Sequence, residues 1–331
     1  MVIKGTTQLL GVIGYPVEHS FSPLMHNAAI AHLQANAAKA NTQATAQERS
    51  GATNSLDCVY LPFPIPPESL EMAINGFSAI SLRGFNITIP HKQAIIPLLD
   101  EVSEVARAIG AVNTVWRSES EVDASGQGKP GSLVQWHGTN TDAAGFLAPL
   151  KALKHDWQDV PALVLGNGGA ARAVVAACVE LGCSQVWVCG RSPEKLRAFE
   201  QSWQAAPLIS DKLSVLAWHE LPARLPQAGL VVNATPVGMH PNVEASPLSD
   251  VEMGSLGRDL PLSAPKVAYD LIYTPRPTKF LQQASAAGFR AIDGLEMLVQ
   301  QGAAALEIWL NQPAPVEVMR RSLLEHLGHA A

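Results

Sequence analysis

Apolar residues recur along this chain in short uninterrupted runs separated by stretches of helical spacing. In the first half, residues 9–13, 59–63 and 84–89 read as strands, while 23–33, 67–80 and 92–99 carry apolar residues three and four apart. The alternation predicts an α/β domain. Two stretches interrupt it: 34–56, rich in Ala, Asn, Thr, Gln and Ser, and 118–134, rich in Gly, Ser and charge. Both read as weakly structured surface insertions. A second alternating series starts at 162–165 and continues through 186–189, 230–232 and 267–271. Such apolar runs flanked by helices suit a doubly wound parallel sheet covered on both faces. Two helical stretches, 295–310 after the turn-like Asp293-Gly294 and 316–327, end the chain and are expected to return to the first domain.

Composition narrows the classes. The 331 residues predict two domains, and 47% hydrophobic against 16% charged residues is too apolar for general disorder. A formal charge of −6, from 23 basic and 29 acidic side chains, offers no basic field for nucleic acid or an anionic lipid surface. No apolar run approaches the ~20 residues that span a bilayer, and the start of the chain lacks a signal peptide's three-part pattern, so a cytoplasmic protein is expected. Cys58, Cys178, Cys183 and Cys189 form no CxxC pair and read as reduced, buried filler, with no metal implied.

The clearest chemical signal follows the run 162–165. Gly166-Asn167-Gly168-Gly169-Ala170-Ala171 leads into an apolar helix that Gly182 is placed to terminate. Glycines let backbone N–H groups approach a pyrophosphate, and a helix amino terminus adds positive potential. A tight βα connection that binds nothing is the alternative, since Ala171 replaces the third glycine of GxGxxG. An NAD site usually shows an acid about 20 residues further on. Here the second run ends in Gly190-Arg191-Ser192-Pro193-Glu194-Lys195, two cations and a hydroxyl that suit the 2′-phosphate of NADP better; solvated charges at a helix start are the alternative.

In the first half, Gly84-Phe85-Asn86-Ile87-Thr88-Ile89-Pro90-His91-Lys92 puts polar side chains at the end of an apolar strand and a lysine where the next helix is expected to begin, a setting for acid/base chemistry. Asp142 in Asn140-Thr141-Asp142 reads either as a functional carboxylate or as a helix N-cap. Ser22, before Pro23, has the same two readings. No GxSxG elbow accompanies Ser20 and Ser22 with His19 and His26, which sets a serine hydrolase aside.

Together, Gly14-Tyr15-Pro16-Val17-Glu18-His19-Ser20-Phe21-Ser22-Pro23, Phe85 through Lys92, Gly110-Ala111-Val112-Asn113-Thr114, Asn140-Thr141-Asp142, Asn233-Ala234-Thr235-Pro236-Val237-Gly238-Met239, Tyr269-Asp270-Leu271-Ile272-Tyr273 and Asp293-Gly294-Leu295-Glu296-Met297-Leu298-Val299-Gln300-Gln301 resemble the shikimate dehydrogenase family over nearly the whole chain. The resemblance implies NADPH-dependent, reversible reduction of 3-dehydroshikimate to shikimate in aromatic amino-acid biosynthesis. It implies an α/β substrate domain of residues 1–141 and 294–331 enclosing a Rossmann-like, NADP-binding domain of residues 142–293, with the site in the cleft. By resemblance, Ser20, Ser22, Thr88, Asn113, Tyr273 and Gln301 contact substrate around the central pair Lys92 and Asp142. Lys92 supplies the proton, and Asp142 orients Lys92 and a substrate hydroxyl. Gly166, Asn167, Gly168, Gly169, Ala170, Gly190, Arg191, Ser192, Lys195, Leu271 and Gly294 match cofactor positions, and Glu104 approaches the cofactor. Departures are Gly190, where the family usually has asparagine, Lys195, where arginine is frequent, and Glu296, where glycine is common. A quinate/shikimate dehydrogenase with relaxed cofactor use is the neighbouring alternative. A noncatalytic NADP-binding sensor is the alternative from another class, but it requires loss of the acid/base pair, and Lys92 and Asp142 are both present. The sequence leaves the choice between monomer and homodimer open.

Overall fold

The computed structural model describes residues 3–43, 56–119 and 134–328. The chain divides into two compact units, Met1–Thr141 with Gly302–Ala331, and Asp142–Gln301. The division falls inside the helix Gly294–Leu310.

The first unit is built on a six-stranded mixed sheet. Its strands are β1 (Gln8–Gly14), β2 (Cys58–Pro64), β3 (Gly84–Ile87), β4 (Glu101–Val102), β5 (Thr114–Glu119) and β6 (Val134–Thr139), in the order β2-β1-β3-β5-β6-β4. β1 runs parallel to both β2 and β3, pairing Ile13 with Phe63 and Ile87, whereas β5 is antiparallel to β3 and β6. The helix Leu70–Ala79 lays Leu70, Ile74 and Phe77 on this sheet at a spacing that keeps them on one face. Phe77 meets Phe63 and Phe85, and Phe85 meets Trp136 edge-on at 5.4 Å. Trp309, on the Gly294–Leu310 helix, donates its indole N–H to the Val115 carbonyl at 2.9 Å, and Gly84 leaves room for its ring.

Three expectations change here. The helix Ser22–Gln43 continues well into the stretch expected to be irregular, because Ala35, Ala37, Ala38 and Ala40 are strong helix formers; residues 44–55 lie outside the described ones. The second expected insertion begins and ends as paired strand, Ser118 against Gln135 and Glu119 against Val134, with 120–133 outside the described residues. No helix forms over 92–99. Pro97 interrupts it, and the chain makes turns closed by a single 3₁₀ turn, Ile96–Leu98.

The second unit is a doubly wound, fully parallel sheet of β7 (Ala162–Leu165), β8 (Val186–Gly190), β9 (Leu213–Ala217), β10 (Leu230–Asn233), β11 (Val267–Asp270) and β12 (Arg290–Ile292), in the order β12-β11-β10-β7-β8-β9. β7, β8, β10 and β11 are buried at every position, which explains their uninterrupted apolar runs. The winding reverses between β7 and β10, the place in such sheets where ligands bind beyond the carboxyl ends of the strands. All four cysteines are buried and free. Among the described residues no helix is long and apolar enough to cross a membrane.

Candidate active site

In the first unit, the sheet register gathers one set of expected residues at a single edge. β1 leads through the turn into Ser20, whose side-chain oxygen accepts the Ser22 N–H at 3.3 Å. Next to it, β3 runs out into Thr88, whose N–H reaches the Ile13 carbonyl at 2.9 Å. β5 is antiparallel, so Asn113, which precedes it, stands at the same edge and accepts the Ile87 N–H at 2.8 Å. Lys92 is half-buried and held by its backbone: its carbonyl accepts the Val112 N–H at 2.8 Å, and neighbouring His91 bonds the Ile65 carbonyl at 2.7 Å. A turn, and not a helix amino terminus, therefore positions Lys92. Ser22 does not cap its helix either, because the Phe21 carbonyl takes the first helical bond, from Met25 N–H at 3.2 Å. His26 is fully buried and stacks on Tyr60 at 4.3 Å; burial lowers its pKa to about 3, against the Asn86 amide beside it, so it is no general base.

Behind this edge lies a polar cluster that joins the expected substrate contact Asn113 to four residues with no expected role. Tyr60, Asn86, Asn113, Thr114 and Thr141 are all buried and joined by side-chain hydrogen bonds. Asn86, Asn113, Thr114 and Thr141 lie within motifs quoted above, whereas the signal of Tyr60 in the sequence is a polar group inside an otherwise apolar run.

In the second unit, Asp142 is the first residue of the helix Asp142–Ala152, so the cap lies before it. One turn on, Gly145 lets this helix press against Gln301, since a Cβ there would lie 2.8 Å from Gln301 Cβ and from the Met297 carbonyl. Phe146 stacks on Tyr269 at 4.6 Å, which sets the same helix against β11. Beyond β11, the buried Asp270 carboxylate accepts from Asn233 Nδ2, Ile272 N–H and Thr278 Oγ1 at 3.0, 3.0 and 2.7 Å, tying the loops after β10 and β11 together. Burial raises its pKa to about 6 in spite of those donors, and the Asp293 carboxylate adds to the rise. Tyr273, on the second of these loops, is half-buried, and burial raises its phenol. Arg276 clamps that loop to Asp293 through Nε and Nη2, each at 2.7 Å.

The glycine turn stands at the reversal between β7 and β10. Gly166 adopts φ +104° and packs against the Ala234 carbonyl, while Gly168 and Gly169 leave open space where side chains would stand. The helix Gly169–Leu181 follows and ends, as expected, on Gly182 at φ +98°. Asn167 Nδ2 is buried without a partner among the described residues, and the amide occupies the room that a side chain at position 190 would take, with Oδ1 3.1 Å from an ideal Cβ there. Arg191 is exposed, and Ser192 caps the helix Pro193–Gln201 by accepting the Lys195 N–H at 3.3 Å. Leu271 donates to the Asn233 carbonyl, and Gly294, bonded to the Ile272 carbonyl, is packed so closely on Leu271 that a Cβ would collide with it. Glu104 opens the helix Glu104–Ile109 of the first unit and shares no unit with this turn.

Comparison with known proteins decides the family. The shikimate dehydrogenase substrate-binding domain model matches residues 43–115, and the shikimate 5′-dehydrogenase C-terminal domain model matches residues 294–324. The shikimate dehydrogenase (NADP(+)) of Trichormus variabilis is 52% identical over 329 residues, 99% of each chain. This chain belongs to the shikimate dehydrogenase family. Among solved members of this family, the Aquifex aeolicus shikimate dehydrogenase superimposes with a TM-score of 0.74 at 34% identity, covering 97% of this chain and 99% of the other. The Thermus thermophilus shikimate 5-dehydrogenase, solved in complex with NADP(H) and shikimate, gives 0.72 at 33%, covering 96% and 99%. The α/β architecture with its Rossmann-like unit is thus the shikimate dehydrogenase fold.

Proposed function

We propose that the chain is an NADP-dependent shikimate dehydrogenase that interconverts 3-dehydroshikimate and shikimate. The observation that carries the reading is full-length identity of 52% to a shikimate dehydrogenase (NADP(+)), joined to a glycine turn and a polar sheet edge built from the residues expected to act. The turn fits the cofactor: open glycines, a 13-residue helix behind them and the unpartnered Asn167 donor suit a pyrophosphate and its ribose. Arg191, exposed and in no ion pair among the described residues, is available to a 2′-phosphate. Gly166, Asn167, Gly168, Gly169, Ala170, Gly190, Arg191, Ser192 and Lys195 would hold the nucleotide, with Leu271 and Gly294 nearer its reactive end. When bound, NADPH supplies the hydride that reduces the ring carbonyl.

The chain's own groups do the rest. Lys92 donates a proton to the carbonyl oxygen as it becomes a hydroxyl, and its ammonium stabilises the developing alkoxide. Asp142 accepts a substrate hydroxyl and favours the charged lysine. Ser20 and Ser22 receive the carboxylate, and Thr88, Asn113, Tyr273 and Gln301 pair with the ring oxygens, which hydroxyls and amides can meet as donor or acceptor. Initial rates with shikimate and with quinate, each with NADP and NAD, test the proposal. Shikimate with NADP is expected to be the fastest combination. Absence of NADP reduction by shikimate refutes the function, and a faster rate with quinate reassigns the substrate.

A further inference from the structure

We infer that Tyr60 is a positioning residue for substrate: through Asn86 and Thr114, its hydroxyl joins the Thr141 N–H in fixing which end of the Asn113 amide is turned outward. The inference rests on the reading above of Asn113 as a substrate contact. Tyr60 lies in β2, fully buried, and donates its one proton to Asn86 Oδ1 at 2.7 Å. That bond sets the orientation of the Asn86 amide, so Nδ2 points to the Asn113 carbonyl and to Thr114 Oγ1, each at 3.1 Å. The Thr114 hydroxyl, accepting there, gives its own proton to Asn113 Oδ1 at 2.9 Å. Asn113 Oδ1 also accepts the Thr141 N–H at 2.7 Å and faces the Thr141 hydroxyl at 3.1 Å. An amide is planar, so an Oδ1 held inward by these donors directs Nδ2 to the opposite side.

The Asn113 carbonyl can only accept, so it calls for Asn86 Nδ2, and the phenol completes that orientation by satisfying Oδ1 on the other side. If Asn86 were reversed, Oδ1 would oppose the Asn113 carbonyl and draw the Thr114 proton away from Asn113. Removing the Tyr60 hydroxyl strands a buried Asn86 Oδ1 and thereby favours that reversal. The ring itself is fixed. His26 stacks on it at an interplanar angle of 11°, and the Asn27 side chain brackets its backbone with bonds of 2.8 and 3.0 Å.

Steady-state kinetics on the full chain, with NADP dissociation constants from fluorescence titration, test the relay. Tyr60→Phe is expected to raise KM for shikimate about tenfold, the effect of one lost buried hydrogen bond, with kcat nearly unchanged and NADP affinity unaltered. Thr114→Val should do the same. The double variant should exceed either single one only slightly, because both cut one relay. An unchanged KM in Tyr60→Phe, an equal loss of NADP affinity, or simple additivity overturns the inference; a lowered melting temperature with unchanged KM makes Tyr60 merely structural. Asn113→Ala separates the two claims. If it leaves KM for shikimate unaltered, the assignment of Asn113 fails; if it raises KM while Tyr60→Phe does not, the relay alone fails.

Discussion

Two buried titratable groups give this protein an acid stability that depends on whether its units unfold together. His26, in the first unit, is lowered by burial from 6.5 to about 3, while Asp270, in the second, is raised by burial from 3.8 to about 6. Their effects have opposite sign. The His26 contribution is complete above pH 6.5 and is lost as pH falls toward 3, because the unfolded chain takes up a proton that the folded one refuses. At 1.36 kcal/mol per pH unit, a difference of about 3.5 units makes the full loss about 5 kcal/mol. Asp270 stabilises below pH 3.8 and loses that stabilisation as pH rises through 6, about 3 kcal/mol over about 2.2 units. Between pH 4 and 6, unfolding of the whole chain would take up one proton at His26 and release one at Asp270. For a single cooperative transition these two slopes cancel.

Calorimetry between pH 4.5 and 7 reads this directly. With one transition, wild type shows little pH dependence from these two groups, and Asp270→Asn uncovers a loss of about 1.4 kcal/mol per unit on acidification. His26→Phe, which keeps an aromatic ring on Tyr60, uncovers a gain of the same size. With two transitions, the one belonging to the first unit falls on acidification and the other rises. The slope and not the offset is the readout, since an Asn at 270 turns an NH₂ toward donors and destabilises at every pH. Parallel lines for wild type and Asp270→Asn over this range would refute the placement of a proton on the folded carboxyl.

Lys92→Ala should lower kcat by at least ~100-fold with little change in melting temperature, the usual cost of losing a general acid; near-normal turnover removes Lys92 from the chemistry. Asp142→Asn keeps the shape and loses the charge, so kcat should fall while thermal stability holds, and unchanged kinetics would reduce Asp142 to a helix-start residue. Arg191→Ala should weaken NADP about 10- to 100-fold and NAD far less, the worth of one charge-assisted contact; equal losses measured for both cofactors would mean that Arg191 does not read the 2′-phosphate. Gly294→Ala forces a Cβ into the Leu271 carbonyl and should destabilise by ~1–3 kcal/mol in denaturant unfolding, with weakened NADP binding; a stability equal to wild type contradicts the packing there.

What was legible in the sequence was what neighbouring residues settle among themselves. The turn Gly166 to Gly169 and the terminator Gly182 declare themselves because each backbone conformation falls on a residue that adopts it at little cost, and the strand on one side and the helix on the other confirm the setting. The runs that became β7, β8, β10 and β11 were plain because burial on both faces leaves no polar position. Residues 92–99 misled for a related reason. Ile95, Ile96, Leu98 and Leu99 are spaced as on a helix, but Pro97 removes a donor within it and the chain settles into turns. Residues 34–43 read as irregular because Asn, Gln and Thr are mixed with the alanines and no apolar stripe runs through them, yet alanine propensity carries the helix on to Gln43.

The site divides along the same line. Lys92, Asp142 and the serines could be named from their motifs, yet what positions each came only from the folded chain: a turn for Lys92, the Gly145–Gln301 contact behind Asp142 and a Phe21 cap beside Ser22. The relay behind Asn113 is the extreme case. Tyr60 and Asn86 are 26 residues apart, Asn86 and Thr114 are 28 apart, and no local spacing announces a bond between them. β2 and β3 flank β1, so pairing brings Tyr60 and Asn86 together across the central strand only once the sheet has formed. Tyr60 stands in a run that predicts a buried strand, and burial makes its hydroxyl significant. In water the same group would lose little by giving up one partner, whereas enclosed in the sheet it must find Asn86, and the direction of that bond passes on to Asn113.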